Sequence, residues 1–153
     1  MQYSTLNKPF KQFFVEKQVL GLIEFFDLDG VGKVPAKLDS GNGAYNVLHG
    51  EEIQIQGNKV FFRTANNKTL VKPLVSTITI NVGAGNTEER PVVEFDIVVG
   101  QKLFKKTPFS IGNRLTNIYK ILVGKDFIEN NLEALIDVGQ ENIADQDIQV
   151  DLK

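Results

Sequence analysis

The tripeptide Asp39-Ser40-Gly41 is the part of this sequence best suited to acid–base chemistry. The aspartate follows the extended run Val34–Leu38 and enters a turn of small residues, so its carboxylate stands at the end of a strand. A carboxylate placed there either activates water as a general base or ties the turn to its own backbone. Other reactive side chains are few. There is no cysteine, which removes thiol nucleophiles, thiolate-bound zinc and disulfides. His49 is the single histidine, with no partner at metal-ligand spacing, so no metal site is expected. A Ser-His-Asp triad would have to use His49 as its base, and no Gly-x-Ser-x-Gly elbow supplies the serine. His49 therefore reads as a structural residue.

Two other motifs fail on inspection. Asp27-Leu28-Asp29-Gly30 opens like a calcium loop, but its twelfth position falls on Leu38, which has no carboxylate, so the segment reads as a turn. Gly41-Asn42-Gly43 begins like a phosphate-cradling loop, but Asn46 occupies the third glycine position and no Lys-Ser/Thr pair follows. No cofactor is expected. Asn67-Lys68-Thr69 fits a glycosylation sequon and is read as a turn.

These residues are carried by short strands. Val19–Phe26, Val34–Leu38, Glu51–Gln56, Lys59–Arg63, Pro73–Val82, Val92–Val99 and Gln101–Ile111 alternate or run apolar between Gly, Asn and Pro. Gly57-Asn58, Gly83–Asn86 and Gly100-Gln101 mark hairpin turns. Lys125–Asn131 is the one helical segment expected, followed by a strand over Leu132–Val138 and a further alternating run at Ile148–Leu152. A chain of 153 residues fits one domain, divided here into an N-terminal extension, 1–18, and a β-domain, 19–153. Many short strands with close turns predict an all-β barrel or sandwich. A net charge of −2 offers no basic field for a nucleic-acid backbone. No apolar run approaches the ~20 residues of a membrane helix, and the first 18 residues lack a signal-peptide core. A cytoplasmic address is expected, with neither nucleic acid nor membrane as partner.

Some 80 residues after Asp39 stands Ile121-Leu122-Val123-Gly124-Lys125-Asp126-Phe127-Ile128. Asp-Ser/Thr-Gly followed later by aliphatics and glycine resembles the retropepsin-like aspartic peptidases. The chain resembles most the family associated with ATP-grasp glutamate ligases and often labelled “ATP-dependent zinc protease”. The matching residues are Gly21-Leu22-Ile23-Glu24, Ala36–Gly41, Leu48-His49, Arg90-Pro91-Val92, Asn113-Arg114 and Ile121–Gly124, spanning Val19 to Val138. Asn42-Gly43 adds a position after the tripeptide, and Tyr45 and Asn46 replace the usual Thr/Ser.

The resemblance implies a retropepsin-like barrel with one lobe per chain and a short helix after Gly124. It implies Asp39 as catalytic carboxylate, Ser40 and Gly41 as its supporting turn, and Ile121, Leu122, Val123 and Gly124 as the strand crossing beneath it. One Asp-Ser-Gly per chain implies a homodimer, since two carboxylates must share a proton. Glu51–Arg63 and Gly83–Arg90 are candidate flaps. The association with glutamate ligases implies acidic, Glu-rich peptides as substrate, with Arg90 and Arg114 as candidate binding residues. The altered turn over 39–44 leaves a second reading open: a non-catalytic β-domain used for binding or assembly.

Overall fold

A computed structural model describes residues 17–43 and 45–145. Most of the N-terminal extension, Ala44 and the alternating run at Ile148–Leu152 lie outside the described residues. Among the described residues the chain is nearly all β, with eleven strands and one short helical segment. The strands are β1 (Gln18–Leu28), β2 (Gly32–Leu38), β3 (Asn46–His49), β4 (Glu51–Gln56), β5 (Lys59–Arg63) and β6 (Thr69–Pro73). They continue with β7 (Ser76–Gly83), β8 (Asn86–Val99), β9 (Lys102–Gly112), β10 (Ile121–Val123) and β11 (Ala134–Glu141).

Eight strands form one mixed sheet in the order β11-β1-β2-β10-β3-β9-β8-β7, and β4-β5-β6 form a second sheet. β1 and β11, β2 and β10, and β3 and β9 run parallel. β1 also meets β8, through Asp27 opposite Val98 and Leu28 opposite Ile97. The side chains turned inward include Leu20, Phe26, Leu28, Leu38, Phe62, Phe95, Phe109, Ile111 and Ile121, all nearly or fully buried. Each such side chain contributes about 1.5–3 kcal/mol of transfer free energy.

The expected hairpins form as tight turns. Gln56 pairs with Lys59, Gly83 with Asn86 and Val99 with Lys102, leaving two residues between each pair. Ala84 and Gly85 both take positive φ, 52° and 76°, as a turn matching the strand twist requires. The expected strand Pro73–Val82 divides in two. Pro73 has no N–H to donate and ends the edge strand β6. The Leu74 N–H then donates to Asn58 and the Val75 N–H to Val92, which carries the chain from the small sheet to the large one.

The expected helix is present, as one α-turn, α1 (Lys125–Phe127), widening into a π-turn at Ile128–Leu132. Phe127, Ile128 and Leu132 are buried, and the Phe127 ring packs on Phe26 and Phe104 with centroids 6.1 and 5.3 Å away. Among the described residues no helix is long and apolar enough to cross a membrane.

Candidate functional site

Asp39 stands where β2 ends. Its N–H donates to the Val123 carbonyl at 2.9 Å, extending by one bond the parallel pairing of β2 with β10. The chain then turns: the Asn42 N–H donates to the Asp39 carbonyl at 3.0 Å, and the Gly41 N–H to Asp39 Oδ1 at 3.0 Å. A Cβ on Gly41 would stand 3.3 Å from that oxygen, so a residue without one suits the approach. One carboxylate oxygen is thus held by its own turn. Oδ2 has no hydrogen bond among the described residues. Ser40 is exposed and its hydroxyl makes no hydrogen bond there either. Within one chain, it is the Gly41 amide of this turn that orients the carboxylate.

β10 lies between β2 and β3. Ile121 and Val123 are fully buried, and Ile121 faces Ala36 on one side and Leu48 on the other. Gly124 is fixed by Asn46, whose buried Oδ1 accepts its N–H at 2.8 Å. The Lys125 N–H donates to the Asn42 carbonyl at 2.7 Å, which ties the start of α1 to the loop leaving Asp39. Asn46 is the residue that sequence reasoning undervalued. Its signal was a polar residue opening the run Asn46-Val47-Leu48, a buried amide that needs a partner. A cleft of about 420 Å³ runs beside this loop, lined by Gly43, Tyr45, Asn46, Pro108, Asp126, Phe127 and Asn131; Asp39 is not among its lining residues.

The opposite end of β10 is built around His49. Its Nδ1 accepts the Arg114 N–H at 2.8 Å, so the ring proton of the neutral imidazole sits on Nε2. Nε2 lies 3.4 Å from Glu51 Oε2 but off hydrogen-bonding geometry. His49 is 1 % exposed and acts as the structural residue the sequence indicated. The Lys120 ammonium donates to the carbonyls of Arg114, Leu115 and Asn117 at 2.7–3.0 Å, closing the loop that leads into β10.

Arg90 and Arg114 meet at this same end. The Arg90 guanidinium lies against Gly112, where a Cβ would approach Cζ and Nε to 2.8 Å, and it pairs with Glu88 at 3.1 Å. Arg114 Nε donates to the Tyr119 carbonyl at 3.0 Å. Burial, and after it the charge of Arg90, holds Arg114 below the usual guanidinium pKa. The two arginines lie together beside Gly112, and neither makes a contact with Asp39 among the described residues. Along β10 the backbone rises three residue steps from Lys120 to Val123, about 10 Å in an extended strand.

No family model and no curated protein sequence matches the chain. Its fold is similar to that of Lpg0085 from Legionella pneumophila subsp. pneumophila str. Philadelphia 1, whose crystal structure is described as a protein with unknown function (DUF785). The TM-score is 0.67 over 83% of this chain and 98% of that one, at 24% identity. A likeness at that identity is one of fold.

Proposed function

We propose that the chain is one half of a homodimeric aspartic hydrolase acting on peptide bonds, with Asp39 as the carboxylate that activates water. One observation carries the reading. The Asp39 N–H is bonded to Val123, so the Ile121–Gly124 strand runs directly beside the strand that ends in Asp39, with α1 following at once. The pairings β1-β2-β10-β3-β9-β8, with β1 meeting β8 in turn, support a closed six-stranded retropepsin-like barrel. Asp39 Oδ1 accepting from Gly41 leaves Oδ2 to face a water, and a two-fold axis through the turn supplies the second carboxylate. Two such carboxylates share one proton: one takes a proton from water while the other protonates the carbonyl oxygen.

Of the two candidate flaps, the β7–β8 ribbon fits better. β8 pairs with β9 only from Val92 onward, so its first residues and β7 project as a two-stranded arm. β4 and β5 are instead tied to β6, with Val60 and Phe62 buried.

The test is a peptide-cleavage screen, acidic and neutral peptides together, comparing the natural chain with Asp39→Asn. Cleavage lost in a variant that keeps its fold and mass supports the hydrolase. Cleavage unchanged by the substitution removes Asp39 from the chemistry. The second reading, a non-catalytic binding domain, is favoured by the Asp39–Gly41 bond, because an aspartate that closes its own turn has a structural role already. It is the reading left standing if no peptide is cut and Asp39→Asn unfolds the chain.

A further inference from the structure

In the turn after Asp39, Asn42 is followed by Gly43, and it is the one asparagine in the sequence with glycine after it. That pair carries a reaction of its own. A bond from the backbone nitrogen after an asparagine to the side-chain amide carbon closes a small ring, and a reaction inside one chain avoids the cost of an encounter. A side chain on the following residue crowds the approach, and glycine has none. The fold leaves the pair open. Gly43 is exposed, belongs to no strand or helix and lines the cleft of about 420 Å³, where water has access. The space around it is clear, since a Cβ built there would meet nothing within 4 Å. Among the described residues its N–H donates no hydrogen bond, so the attacking nitrogen has no such bond to give up. We propose that Asn42-Gly43 is a site of spontaneous deamidation, a self-modification that sets a new carboxylate in the loop leaving Asp39.

The step needs only water. The Gly43 nitrogen bonds to Asn42 Cγ, the bond from Cγ to Nδ2 breaks, and Nδ2 leaves as ammonia with the proton that Gly43 gives up. The product is a succinimide ring. Water opens it, its hydroxyl adding to one ring carbonyl carbon and its hydrogen returning to the nitrogen. Opening at Cγ gives an aspartate in an ordinary chain. Opening at the backbone carbonyl gives isoaspartate, whose main chain runs through Cβ and Cγ and is one carbon longer. Either product adds a negative charge to a chain of net charge −2. Isoaspartate does more. The Asn42 carbonyl that accepts the Lys125 N–H at 2.7 Å becomes a carboxylate off the main chain, so the tie between this loop and α1 is altered. The reaction stands apart from the hydrolase reading, because it asks no chemistry of Asp39.

The experiment incubates the folded full chain at mildly alkaline pH and follows its peptides by mass spectrometry over time. The mass gain of an amide turned to an acid is expected first in the peptide that carries Asn42, with fragmentation separating isoaspartate from aspartate there. Backbone amide NMR of the same samples should show a second Lys125 signal growing in step with isoaspartate. Gly43→Ala, which the open space around Gly43 accommodates, should slow the conversion about tenfold or more, a rise of about 1.36 kcal/mol in its barrier. Asn42→Gln, whose longer side chain closes the ring less readily, should abolish the early mass gain. The same chain held unfolded in urea provides the reference rate. Conversion in urea with none at Asn42 in the folded chain would overturn the proposal, because the fold would then shield the pair. Conversion as fast in Gly43→Ala as in the natural chain, or appearing first at other asparagines, would overturn it equally.

Discussion

The side-chain oxygen of Asn46 accepts the backbone N–H of Gly124 at 2.8 Å, joining two points 78 residues apart in the sequence. This bond sets the end of β10 against the start of β3. Replacing Asn46 with Ala strips a buried N–H of its acceptor, a loss of about 1–3 kcal/mol. Urea unfolding should show a lower midpoint at an unchanged slope. Gly124 and Lys125 amides should exchange faster than those of β9, and equal protection in both would refute the role.

Glu24 is the carboxylate with the heaviest structural duty. It is 1 % exposed and accepts N–H groups from Gly21 at 2.7 Å, Ile143 at 3.2 Å and Ala144 at 3.1 Å. Glu24→Ala leaves all three donors unmatched and should cost about 3 kcal/mol or more. Hydrogen exchange should report the Ile143 and Ala144 amides as unprotected while β8 stays slow. An exchange map unchanged by the substitution would show that other contacts hold this segment.

The hydrolase reading requires two chains. Light scattering at working concentration should give about twice the 17.1 kDa chain mass. A monomer that cuts peptides at full rate would end the shared-carboxylate mechanism.

Asp137 provides a pH test. Its carboxylate accepts from the Gln140 side chain at 2.7 Å and the Gly139 N–H at 3.0 Å, which together hold it below the ordinary carboxylate range. The folded state thus favours the charged form. Its contribution is complete above the unfolded pKa, about 3.9, and disappears as pH falls through the lower folded value. An NMR titration should place Asp137 below the ordinary aspartate value, and Gln140→Ala should move it upward.

Much of this fold can be read from the sequence because its hairpins are local. Gly57, Gly83 to Asn86 and Gly100 each mark a turn in the residues that make it, and the strands between them alternate as half-buried strands do. β3 gives no such sign, because all four of its residues are buried and a strand covered on both faces has no alternation to show. The break at Leu74-Val75 is hidden for another reason: a change of sheet alters partners, not residue types. At the candidate site, the Asp39 N–H bonds to Val123 and the Gly41 N–H to the Asp39 carboxylate. Arg90 and Arg114 are legible as charges, but their meeting beside Gly112 follows from the strand directions of β3, β9 and β10. Those directions depend on pairings between distant segments, which no local pattern records.

β2 and β3 are near neighbours in the sequence, yet they never touch as partners, because β10 fills the space between them. During synthesis both strands emerge long before Ile121–Val123 exists. Their facing edges stay unpaired until most of the chain has been made, and closing such distant contacts is slow. The nascent N-terminal half is therefore a piece that cannot fold by itself, and in that interval its open edges are exposed to other chains. Refolding of the whole chain should fall in the milliseconds-to-seconds range, roughly, of domains dominated by non-local pairing.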